Sequence, residues 1–182
     1  MRSFHMVKLD PESVEARNIL KKTISGYGNY EKQAERSSTE STLRNYLKIQ
    51  LSSCSDNVKK IQEAALMSQM ITTWSDLDRL IASFSDIRFL IKNTKYGIST
   101  FFDSNVIKEF DLSYLYTLER TILEVIRRLD DKISQFDDAI ESGMLSDSSR
   151  LTNEILEDLS AIRDAWEERR KLISDFQKLG LV

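Results

Sequence analysis

Apolar residues recur through the second half of the chain at the spacing of an α-helix. They fall at Leu115, Leu118, Ile122, Val125, Leu129, Ile133, Phe136 and Ile140, in steps of 3, 4, 3, 4, 4, 3 and 4. Such steps keep one stripe of a helix turned toward a partner. Gly143 breaks the run, and a second stripe follows through Leu151, Ile155, Leu159, Ile162, Trp166, Ile173 and Phe176. The two arms predict an antiparallel hairpin over residues 111–179, each arm roughly 48 Å long at the helical rise. With the turn centred between Met144 and Leu145, Ile155 meets Ile133, Leu159 meets Leu129–Asp130, and Arg170 meets Glu119. That register predicts an exposed Glu119–Arg170 ion pair.

Upstream, Leu43, Leu47, Leu51, Cys54, Val58, Ile61 and Ala65 follow one another in steps of 4, 4, 3, 4, 3 and 4 and predict another long helix. Leu77, Leu80, Ile81, Phe84, Ile87 and Ile91 mark a shorter one. Its expected start is a capping box, with Thr73 as cap and Asp76 in place of the usual Glu. Asp10-Pro11-Glu12 opens a short N-terminal helix: a capping carboxylate, a proline at the first helical position and an acid facing the dipole. Residues 31–42 hold one apolar residue, Ala34, among dense Ser and Thr. With no face to bury, a loop is favoured there over a solvated helical extension.

The expected fold is all-α, an elongated up-down-up-down antiparallel bundle with helices near 41–70, 74–96, 104–142 and 147–179. Residues 1–40 are read as a short, loosely attached N-terminal helix and a flexible polar linker, and 41–182 as the bundle domain. The last two helices outrun the helix at 74–96. The uncovered flank predicts self-association, most simply as a homodimer.

Composition sharpens this only a little. Five Gly, one Pro and 30% charged residues suit long helices. Cys54 is the single cysteine of the chain, so no intrachain disulfide can form, and its place on an apolar stripe marks it as a buried small hydrophobe. No signal-peptide pattern and no run approaching ~18 apolar residues is visible, so a cytoplasmic protein without a membrane span is expected. Charge is unevenly spread. Residues 1–100 carry 15 Lys+Arg against 11 Asp+Glu, and residues 101–182 carry 11 against 18. Within 130–158, nine acids stand against two bases. Nucleic acid would be repelled there, so it is excluded as a partner.

Catalytic constellations lack their raw material. The single His is His5, the five glycines form no phosphate-cradling loop, and the inward positions read as aliphatic. A non-enzyme without cofactor is expected. Asp137-Asp138-Ala139-Ile140-Glu141 resembles the Asp-Asp-x-x-Asp box with which all-α prenyl transferases and terpene synthases hold magnesium, but a second box is missing and the chain is far shorter than their fold. Asp131, Glu154 and Asp158 are brought together by the hairpin register. Their spacing is similar in style to the acidic motifs of PhoU-like phosphate regulators and implies a hard divalent cation on oxygen ligands. The plainer alternative is a solvated acidic face. Candidates for partner binding are Phe101, Phe102 and Phe110 in the aromatic-rich segment 96–116, and Asp137, Asp138 and Glu141 on the acidic tip. The aromatics read either as a plug closing the bundle or as an exposed docking patch. The expected function is a helical interaction or assembly protein, a scaffold or adaptor. The alternative is a regulatory bundle taking a divalent cation or a basic partner at its acidic tip.

Overall fold

The computed structural model describes residues 8–105, 107 and 109–176. Among them are α1 (Pro11–Thr23), α2 (Gln33–Met67), α3 (Trp74–Asn93), α4 (Glu109–Glu141) and α5 (Leu145–Ser174), with a 3-10 turn at Ile71–Thr73 and no strand. The regular structure of the described residues is all helical, as the apolar spacing predicts, and the packing of the helices is consistent with a bundle. His5 and the side chain of Phe110 lie outside the described part. Two compact units divide the chain: Met1–Tyr46, Thr94–Thr121 and Ala165–Val182 in the first, Leu47–Asn93 and Ile122–Asp164 in the second.

The second unit holds four helical segments around an aliphatic core. Leu129, Ile133, Phe136 and Ile140 of α4 are 0–3% exposed, and Ile155, Leu159 and Ile162 of α5 are fully buried. The side chain of Arg88 reaches Ser52 (3.1 Å) and that of Gln62 reaches Asp78 (2.8 Å). As numbering rises along α2 it falls along α3, so this pair is antiparallel. Lys132 of α4 reaches Asp158 of α5 at 2.7 Å. The Cys54 thiol donates to Asp130 at 3.1 Å. Burial first, and then the Asp130 carboxylate, push that thiol far above its ordinary pKa, so it stays protonated and inert.

The first unit is built differently. Asp10 caps α1, accepting from the Ser13 backbone N–H at 2.8 Å, with Pro11 next in the first turn. Ala16, Leu20 and Ile24 are 0–1% exposed, so α1 is firmly packed and not loosely attached. α2 begins at Gln33, which replaces the expected loop over 31–42 by helix. Its buried face there is polar, Arg36, Thr39 and Glu40, which is why counting apolar residues missed it. At Gly28 a Cβ would stand 2.6 Å from the Thr39 hydroxyl, so only glycine lets the α1–α2 connection lie this close to α2. The flank expected to be bare is covered: Leu112, Leu115, Leu118, Trp166 and Ile173 are at most 6% exposed within this unit. The premise for pairing a second copy there is therefore gone.

Two helices of the second unit stop by the same device. Past α2, Gln69 has φ 59°, its N–H bonds the Leu66 carbonyl (3.1 Å) and the Met70 N–H bonds that of Ala65 (2.9 Å). Past α4, Gly143 has φ 70°, with matching bonds from Gly143 to Ile140 (3.1 Å) and Met144 to Ala139 (2.9 Å). Both are left-handed C-terminal caps. Thr73 does not cap α3 as expected. It sits in the 3-10 turn, and its hydroxyl donates to the Met70 carbonyl at 2.8 Å. α3 also ends at Asn93, short of Gly97.

Candidate functional site

Buried ionisable groups are where chemistry would be sought first, and the first unit holds a cluster of them. Arg169 of α5 is fully buried. Its Nε donates to Glu119 at 2.7 Å, and Nη1 to the Tyr96 hydroxyl at 2.6 Å. Nη2 donates to the Tyr30 hydroxyl at 3.1 Å and also to Glu40. Tyr27 and Tyr30 donate to Glu119 as well, and Tyr96 and Arg44 to Glu40. The guanidinium lies 4.8 Å above the Trp166 ring. Nearby, Arg36 donates to the carbonyls of Tyr30, Phe101 and Ser104 at 2.6–2.7 Å and ties segment 101–104 to α2.

The two carboxylates that share Arg169 are driven apart. Burial pushes Glu119 up, and the Arg169 charge with the Tyr27 hydrogen bond only partly offsets it, so it ends above its ordinary value. Burial also acts on Glu40, but there the charge of Arg169 and the hydrogen bonds from Tyr96 and Arg44 win, and it ends below. Burial opposes the Arg169 charge too, yet Glu40, Tyr96, Glu119 and Tyr30 hold its pKa well above normal. Divergent carboxylates can mark an acid–base pair. Here both oxygens of Glu119, both of Glu40 and all three nitrogens of Arg169 are already engaged by one another or by tyrosines. Each of these groups thus has its partners within the cluster. The cluster fixes how the helices of this unit meet.

Sequence reasoning missed it for a definable reason. It set Glu119 against Arg170 as an exposed pair. Arg169 instead takes the inward position, with both Arg169 and Glu119 side chains 0% exposed, while Arg170 pairs locally with Glu167. The inward positions are not all aliphatic. One signal was legible: four tyrosines at 27, 30, 96 and 116 in a chain whose apolar stripe lapses at 169–170.

The acidic candidates are not gathered into a cation site. Asp158 is buried and held by Lys132 (2.7 Å) and Arg128 (3.3 Å). Glu154 pairs with Arg150 (2.6 Å), and Asp131 is exposed. The register places Lys132, one residue beyond Asp131, against Asp158, so the two aspartates do not face each other. Among the described residues no three His, Cys, Asp or Glu side chains can hold a metal ion. Of the aromatic candidates, Phe101 is 3% exposed and stacks edge-on with Phe102 and Phe176, at 5.1 and 5.6 Å between centroids, while Phe102 is half-buried. They are packed, as a plug would be. Asp137, Asp138 and Glu141 are exposed.

The end of α4 that carries these three carboxylates adjoins a surface that was not foreseen. The two left-handed caps bring their helix ends together, for the Met70 methyl is 3.9 Å from where a Gly143 Cβ would stand. At these turns Leu66, Met67, Trp74 and Met144 are 56, 86, 37 and 56% exposed. Four large apolar side chains at one end of a unit are more than scattered surface residues. Helical spacing then places carboxylates beside them: Glu63 lies one turn behind Met67, Asp78 one turn beyond Trp74, and Glu141 in the last turn before Met144. Across 61–79 and 137–147 there are seven acids and one base, Arg79, and Arg79 pairs with Asp76 at 3.4 Å. No described helix is long and apolar enough to cross a membrane. Comparison with protein-family models, with curated proteins and with solved structures finds no match.

Proposed function

We propose that the chain is a non-enzymatic helical interaction protein, its helices connected up-down-up-down, that docks a partner protein through the end of its second unit. The supporting observation is the exposed set Leu66, Met67, Trp74 and Met144 at two adjoining helix turns. Trp and Met are favoured at interface centres, the first for its large contact area and the second for its adaptable shape. The test is a photo-crosslinking residue placed at Met67 and, separately, at Ile98, which is 94% exposed in the first unit. A discrete adduct with another protein from position 67 and none from 98 supports docking at this end. Equal adducts from both positions, or none, refute it.

Self-association is the second reading, and a different pair of residues favours it. Ile49 and Phe89 are 65 and 70% exposed on α2 and α3, near the Arg88–Ser52 hydrogen bond that joins these helices. A second copy burying that face would form a homodimer. Sedimentation equilibrium at micromolar concentration decides it, and a strictly monomeric mass counts against it.

A further inference from the structure

We infer that the partner segment fitting this end of the second unit is a cationic amphipathic helix. The inference rests on the docking role proposed above and adds the chemistry of the occupant. Leu66, Met67, Trp74 and Met144 offer an apolar contact, and the neighbouring acids decide what may approach it. Glu63, Asp78, Asp138 and Glu141 are exposed, and among the described residues no ion pair reaches Asp137, Asp138, Glu141 or Asp147. An incoming apolar face with positive charge at its margins gains attraction from these carboxylates, and one with negative margins meets like-charge repulsion.

The alternatives meet physical obstacles. A second copy presenting the same end would set these acids against their own kind. An anionic lipid surface and nucleic acid are repelled in the same way. A peptide that binds by adding a strand needs a free sheet edge, and the described residues contain no strand. A helix satisfies its own backbone and brings apolar anchors at i, i+3, i+4 and i+7 with basic residues along the flanks. Methionine adapts to such faces without demanding one sequence, so selection is by charge and amphipathicity.

The experiment titrates the full chain, by calorimetry, with a synthetic Leu–Lys peptide at amphipathic helical spacing. A Leu–Glu peptide of the same apolar spacing and an unpatterned polylysine serve as comparisons. Variants are Met67→Ser/Met144→Ser, both exposed positions that leave the core untouched, and Ile98→Ser outside the patch. The expected result is binding of Leu–Lys that weakens about tenfold or more in the Met67→Ser/Met144→Ser variant. It should be unchanged in Ile98→Ser and fall as salt is raised. Equal binding of Leu–Lys and Leu–Glu, both lost in the double variant, would overturn the charge selection and leave apolar docking intact. Equal binding of polylysine would overturn the need for an apolar face. Leu–Lys binding that ignores the double variant, or no binding, would overturn the inference, and docking at this end would then rest on the crosslinking result.

Discussion

Replacing Arg169 by methionine removes the cation that Glu40 and Glu119 share while keeping most of the side chain's stem in place. Arg169 donates to Glu119, Glu40, Tyr30 and Tyr96 and covers the Trp166 ring. Its loss leaves two carboxylates in a site where neither is solvated, and breaking a buried pair from one side costs about 3–5 kcal/mol. That is a large share of the ~5–15 kcal/mol of a whole domain. Urea unfolding followed by circular dichroism measures it. The pH dependence carries a sign. Arg169 lowers both carboxyls, so both rise when it is gone. A carboxyl whose folded pKa is raised binds a proton on folding, so its cost is absent below its ordinary 4.5 and grows as pH rises through its folded value. The wild type mixes signs: Glu40, held low, contributes stability above 4.5 and loses it on acidification, while Glu119 does the reverse. The gap between Arg169→Met and wild type should therefore be widest near neutral pH and shrink toward 4.5. Arg169→Lys keeps the charge but not the fork, and about 1–3 kcal/mol is expected. A cost below about 1 kcal/mol for Arg169→Met, or a gap that ignores pH, refutes the buried-network account.

Other outcomes follow from the same packing. Leu129→Ala and Ile133→Ala, at buried positions of α4, should each lose about 2–5 kcal/mol in urea melts, and surface-sized losses would contradict the α4 core. Gly143→Ala forces a side chain into φ 70° and should cost about 1–2 kcal/mol. Gln69→Gly relieves the same conformation and should gain up to about 1 kcal/mol, less whatever flexibility glycine adds to the unfolded chain. Asp158→Asn loses its contacts with Lys132 and Arg128 and should cost about 1–2 kcal/mol. Asp131→Asn should leave the unfolding midpoint where it was.

How much of this was legible follows from how each residue makes its contacts. The stripes of α2, α3, α4 and α5 were readable because aliphatic burial repeats at 3 and 4, and each stripe residue from Leu43 to Ala65 is at most 2% exposed. Register came within one residue, since Arg169 and Arg170 differ only by about 100° of helix rotation. Residues 33–42 escaped because Arg36 and Glu40 are inward for their hydrogen bonds and not for their hydrophobicity, and periodicity counts only the second. The same blindness hid Tyr27, Tyr30 and Glu119, whose partners lie 89 to 92 positions apart. The apolar end was half visible. Its acids stood out as an unbalanced run, whereas Met67, Trp74 and Met144 are separated in sequence and meet only because two helices cap side by side.

The docking claim is met most directly by amide hydrogen exchange with and without the Leu–Lys peptide. If the account holds, exchange slows over residues 64–78 and 138–147, around Met67, Trp74 and Met144, and is unchanged around Ile98. Slowing confined to other surfaces, or none at saturating peptide, would contradict it.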